Sequence, residues 1–182
     1  MQDTYPQLLE KPSASLDERP KLVTYDSLPE WYKDNEYIVG SYRPESLSTS
    51  ACFGSLFYLH NETVNIYTHL VPALVFLVAQ AFMLRLLNQR LPQARPVDYI
   101  VFSFFLLCAF LTLSLSSLYH TLMNHSRTVS FLWLRMDYLG ILVLILGALV
   151  SGLRMGFYCD PLLQKIYWSM VSSLFFSCCL SK

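Results

Sequence analysis

Between Ile66 and Leu180 the sequence is organised as four apolar stretches, near 66–87, 99–122, 131–153 and 162–180. Each is close to the roughly 20 residues that an α-helix needs to cross a hydrocarbon core about 30 Å thick. Backbone polar groups in lipid must be satisfied within the segment itself, so such runs fold as helices. A soluble reading fails on composition. With 54% hydrophobic and 14% charged residues in 182, the chain carries more apolar surface than one small core can hide. A nucleic-acid binder, a disordered tail and an ordinary cytosolic enzyme are thereby excluded, and the expected fold is an all-α integral membrane protein.

The links NQRLPQARPVD, MNHSRTV and RMGFYCDP are short, so consecutive helices run antiparallel and the chain weaves up and down. Pro72 lies one turn inside the first stretch, where neighbouring helices can satisfy the carbonyl it frees. Residues 1–21 read as a disordered polar tail. Residues 22–59 read as a pre-membrane segment in which LVTYDSLPEWYKDNEYIVGSYRP sets aromatics between turn residues, a pattern suited to packing on the membrane or on the bundle. Residues 60–182 form the membrane domain. The first 50 residues, polar, proline-punctuated and acidic, do not resemble a signal peptide.

The net charge of zero conceals an asymmetry: residues 1–59 hold nine acids and five bases, residues 60–182 four acids and eight bases. Arg85, Arg90, Arg95, Arg154 and Lys165 fall on the side of the first and third loops, Arg43, Arg127, Arg135 and Lys182 on the side of the tail. The positive-inside rule on this small excess favours an external tail. The five cysteines contain no CxxC, and their odd number argues against a disulfide framework.

The weave brings the start of the first helix, the end of the second and the start of the third to one membrane face. Polar residues gather there: His60, Glu62, Asn65 and His69 on the first, His120 and His125 on the second, Arg135 and Asp137 on the third. Ionisable groups at membrane depth are costly and mark function by default. His120 closes LSLSSLYH and Asp137 sits in WLRMDYLG, so an imidazole and a carboxylate meet across two helices, either as a packing hydrogen bond or as partners around a metal ion. Two ligands do not make a zinc site. His125 is expected in a solvated loop, His60 and His69 at headgroup level, and Glu62 as a cap on the first helix. Asn61-Glu62-Thr63 and Asn124-His125-Ser126 match the glycosylation sequon but hug the membrane, and the GxxxG of Gly152 and Gly156 is interrupted by Arg154, which places it at a helix end.

The strings SLFYLHNETVNIYTHLVP (55–72), SLYHTLMNHS (117–126), RMDYLGI (135–141) and FYCDP (157–161), in this order, resemble the progestin and adipoQ receptor (PAQR) family and its haemolysin-III-like members. The preceding segment resembles the fungal branch, whose members are linked to zinc and lipid homeostasis. The resemblance implies a seven-helix bundle with a cytoplasmic N-terminus, contrary to the charge count, in an endomembrane or the plasma membrane. It also implies Zn2+ near the cytoplasmic face, held by a histidine at the end of the second helix, which falls on His120, and by two from an HxxxH in the seventh. Asp137 falls on the family aspartate that holds the zinc-bound water. In related enzymes such a water attacks a ceramide amide, so the implied partners are the bilayer and a lipid ligand of the ceramide or fatty-acid class, with homo- or hetero-oligomers and no nucleic acid. A chain ending after four helices lacks the HxxxH. The sequence is therefore expected to be either a fragment of a receptor-like or hydrolytic protein, or a non-enzymatic four-span interaction module. Pore formation has no support, since no helix shows a continuous polar stripe.

Overall fold

The computed structural model describes residues 21–90 and 93–180, and the disordered tail expected over 1–21 lies almost wholly outside them. The described chain is helical: a short α1 (Thr49–Gly54), then α2 (Thr63–Arg90), α3 (Pro96–Leu122), α4 (Arg127–Gly156) and α5 (Pro161–Leu180). The four long helices coincide with the four apolar stretches but run a few residues past them wherever a polar residue can end a helix well. Asp98 accepts the Arg95 backbone N–H at 2.9 Å, and Pro96 opens α3, where its missing N–H costs nothing. Ser126 caps α4 by accepting from the Val129 N–H, and Asp160 accepts from the Leu163 N–H at the start of α5.

Among the described residues three helices are long and apolar enough to cross a membrane: Thr63–Met83, Pro96–Leu122 and Arg127–Gly156. The fourth expected span forms as the helix α5. Gln164, Lys165 and the serines at 169, 172, 173 and 177 interrupt its apolar surface, and it is not among those three.

The middle helix is α3, which packs against both α2 and α4 and is the most buried of the three, while α5 lies against α4. The α3–α4 seam is set by small residues. A Cβ built on Gly147 would meet the Cys108 Cβ at 2.7 Å, and one on Gly140 would meet the Thr112 Cα at 3.2 Å. At that closeness the Thr112 hydroxyl donates to the Gly140 carbonyl at 2.6 Å. Gly152 and Gly156 face open space and take no part in the seam.

A second tie closes the membrane face away from the tail. The Arg154 guanidinium, buried, pairs with Asp98 at 2.7 Å and donates to the Gln164 side-chain oxygen at 3.2 Å. The Tyr158 ring covers the guanidinium at 4.6 Å. The start of α3, the end of α4 and the start of α5 are joined there by side chains.

The pre-membrane segment packs on the bundle. Val23 and Tyr42 form an antiparallel bridge, and Leu28, Tyr32 and Tyr42 bury themselves against Met123 in the turn after α3. Backbone bonds continue the attachment: the Ser46 and Leu47 N–H groups donate to the Asn124 and His125 carbonyls, both at 2.9 Å. Ser41 and Leu47 adopt φ of 65° and 49°, left-handed conformations unusual for side-chain-bearing residues. They bracket residues 42–46, the stretch from which Arg43 reaches into the bundle.

Candidate functional site

The polar residues of the tail-side face do converge, though in pairings that the sequence does not announce. Glu62 immediately precedes α2 and His120 lies in the last turn of α3. The Glu62 carboxylate, 2% exposed, meets the His120 Nδ1 at 2.8 Å. Its oxygens also accept from the side-chain amides of Asn61 and Asn65, the latter at 2.8 Å. Glu62 and Asn65 are three residues apart at a helix start, so they share a face. Burial pushes the Glu62 carboxyl up, but the bonds from His120 and Asn65 outweigh it and hold the group below its ordinary value. The expected role of Glu62 as a cap is therefore not what its side chain does: its oxygens serve two asparagines and a histidine on another helix.

His120 is held from a second direction. Arg43, with no exposed surface, donates to the His120 carbonyl at 2.6 Å, to the Thr121 carbonyl at 2.9 Å and to the Ser55 hydroxyl at 2.7 Å. The last carbonyls of a helix lack intrahelical partners and carry the negative end of its dipole, so a guanidinium there satisfies both. The buried Tyr32 hydroxyl lies beside Arg43, and its pKa is raised by burial. Asp34, closer to the rim, is raised by partial loss of solvent and then by the Glu62 charge.

The other candidates fall as follows. His60 is not a headgroup residue: it is buried, and its Nδ1 accepts the Glu62 backbone N–H at 3.1 Å. Burial, and then the charge of Arg43, lower its pKa to about 4, so it stays neutral at pH 7. The His69 ring lies 5.7 Å, centroid to centroid, from that of His120, and its buried Nδ1 has no hydrogen-bond partner among the described residues. Asp137 is half-buried on α4, within electrostatic reach of His69 and Tyr119. Arg135 is exposed. His125 sits half-buried in the turn before α4, its Nδ1 3.2 Å from the Ser126 hydroxyl. Both sequon asparagines are engaged: Asn61 on Glu62, and Asn124, 3% exposed, on the Pro44 carbonyl at 3.0 Å.

Among the described residues no group of three or more His, Cys, Asp or Glu side chains is arranged to hold a metal ion. His120 by itself suits the role of one ligand. Its Nδ1 is tied to a carboxylate, the arrangement in which metal-binding histidines are usually held, and nothing among the described residues bonds its Nε2. Sequence reasoning placed Glu62 at this face but missed its partner, and it counted Arg43 only as a base on the side of the tail. A carboxylate among asparagines at the mouth of a membrane helix was the available signal for Glu62; none pointed to Arg43.

The family model described as haemolysin-III related matches residues 57–182. The ADIPOR-like receptor IZH1 of Eremothecium gossypii is 42% identical over 142 residues, covering 78% of this chain and 45% of the relative. Progestin and adipoQ receptor-like protein 1 of Caenorhabditis elegans is 39% identical over 162 residues, covering 86% and 35%. The adiponectin receptor protein of Drosophila melanogaster is 37% identical over 154 residues, covering 85% and 34%. The chain thus spans less than half the length of these relatives.

Proposed function

This chain belongs to the haemolysin-III-related, progestin and adipoQ receptor family of multi-pass membrane proteins, and on that premise we propose that it forms part of a receptor-like protein whose tail-side mouth holds a zinc ion through His120. One observation carries the reading: a histidine at the end of a membrane helix has Nδ1 fixed by a buried carboxylate and Nε2 left uncommitted. Among the described residues no three-donor group completes such a site, and in this reading the remaining donors are supplied from outside them. Zinc bound there supplies a Lewis acid for an acyl carbonyl. The residues of this chain do the positioning. His120 would offer its ring nitrogen, and Asp137 on the facing helix would hold a water. Arg43 and the α1 region keep the end of α3 in place. The class of ligand proposed is a lipid amide or fatty acid entering from the bilayer, which fits a role in lipid and zinc homeostasis.

We place the tail in the cytoplasm, as the family resemblance implies. The fold leaves the opposing charge count as it stands. Arg43 is consumed inside the bundle and Arg154 by Asp98, one base from each side, so the small excess is unchanged.

The lack of a three-donor cluster among the described residues favours a second reading, in which Glu62 and His120 merely tie α2 to α3 in an interaction module. Zinc content separates the two. Protein isolated from its native membrane is expected to carry about one zinc per polypeptide, falling at least about tenfold in His120→Ala. Equal zinc in both, including none, overturns the metal reading.

A further inference from the structure

We infer that Glu62 is a positioning residue for His120: it fixes the imidazole as the Nδ1–H tautomer and so presents Nε2, as a lone pair, to the mouth of the bundle. The inference rests on the zinc reading for its purpose but not for its geometry.

The carboxylate is a poor choice for a simple tie between helices. Buried at 2% exposure, it bears a desolvation cost that a neutral pair avoids, and the fold has a neutral tie of that kind, from Thr112 to the Gly140 carbonyl one helix interface away. Nor does the side chain cap the backbone of α2: among the described residues its oxygens meet the side chains of Asn61, Asn65 and His120, and no backbone N–H of the helix it precedes. Asn61 and Asn65 donate, filling acceptor sites and fixing the carboxylate plane. The remaining site faces one ring nitrogen 58 positions away in sequence. An ionised carboxylate can only accept, so that nitrogen must carry the proton. Arg43 meanwhile holds the His120 carbonyl at 2.6 Å, so the backbone is fixed and the ring has little freedom except rotation about its side-chain bonds. Glu62 removes that freedom too.

The neighbouring imidazole shows that the choice of tautomer is local. His60 accepts at Nδ1 from the Glu62 backbone N–H, so it is the Nε2–H form. Two histidines adjoining one glutamate are thus set in opposite tautomers, one by its backbone and one by its side chain.

The test is long-range proton–nitrogen NMR on histidine-labelled protein in nanodiscs, after zinc has been stripped by chelator, with the His120 signals assigned by their loss in His120→Ala. Wild type is expected to show His120 protonated at Nδ1 by a margin of about tenfold or more, and Glu62→Gln, close in shape but neutral, a mixture of tautomers. Glu62→Asp, which keeps the charge on a shorter arm, should restore much of the Nδ1–H form. An Nδ1–H preference unchanged in Glu62→Gln, or a wild-type His120 protonated at Nε2, overturns the inference. Chelator competition on the same proteins then reads the purpose, with Glu62→Gln expected to release zinc about 10–100-fold more readily. If the tautomer responds to Glu62 but no variant binds zinc, the positioning role stands and the zinc reading falls.

Discussion

Replacing Gly147 by alanine tests the account of the α3–α4 seam most sharply, because the same substitution five residues along the helix is an internal control. At position 147 the new methyl carbon would sit 2.7 Å from the Cys108 Cβ and 2.9 Å from its Sγ. Carbon atoms in contact rest about 3.5–4.0 Å apart, so the helices must separate by roughly 1 Å. Rotating a side chain gives no relief, since both Cβ atoms are fixed to backbones. The separation also stretches the Thr112–Gly140 bond two turns away, now 2.6 Å. Overpacking of this kind costs about 1–3 kcal/mol. Alanine meanwhile gains up to about 1 kcal/mol over glycine in helix propensity. At Gly152, where nothing lies within 4 Å, that gain acts alone. Propensity cancels in the comparison, so Gly147→Ala should fall below Gly152→Ala by about 1–3 kcal/mol, the clash itself. Reversible unfolding in mixed detergent micelles, followed by tryptophan fluorescence, measures this. Trp168 reports well, since its indole N–H donates to the Val150 carbonyl across the α4–α5 contact. Adding Cys108→Gly should relieve most of the loss as a coupling term. Equal stability of the two alanine variants refutes the close-packed seam.

Two other predictions concern the tail-side face. Arg43→Met leaves the final α3 carbonyls and the Ser55 hydroxyl without their buried donor, and should destabilise the fold by about 3 kcal/mol or more, with protease cleavage between residues 21 and 47 rising in parallel. Unchanged proteolysis would show that the segment is held by its aromatics alone. The neutral His60, whose folded pKa of about 4 lies below its unfolded value near 6.5, gives a pH dependence. Its contribution is complete above the unfolded pKa and is lost as pH falls from there towards the folded one, because the unfolded state takes up the proton first. Wild-type stability should therefore decline between about pH 6.5 and 4, at up to roughly 1.4 kcal/mol per unit, and His60→Phe should flatten that window. A slope that survives the substitution assigns the effect elsewhere.

The existence and order of the long helices could be read from the apolar runs, because a stretch that must satisfy its own backbone in lipid has few alternatives. The ends could not, since Arg95, Asp98 and Ser126 extend helices by polar caps that an apolar count discards. The gathering of Glu62, His69, His120 and Asp137 at one mouth followed from the up-and-down weave. Pairing within it did not follow. Glu62 and His120 are 58 positions apart and Arg43 and His120 77, and a single sequence carries no signal for contacts across such distances. Gly140 and Gly147 were overlooked for a related reason: they are seven residues apart, and the close approach they permit depends on Thr112 and Cys108 of another helix.

The Asp98–Arg154 pair has a consequence for how the chain enters a membrane. The two residues are 56 positions apart, one opening α3 and the other closing α4. Until the last turn of α4 has been made, Asp98 stands at the membrane edge as an uncompensated charge, and a lone α3 is a poorer membrane solute than its apolar length suggests. Once Arg154 arrives, the charges cancel and the Tyr158 ring shields them. The unit that partitions favourably into lipid is then the α3–α4 hairpin as a whole, with the glycine seam closing along its length as the ion pair locks its open end.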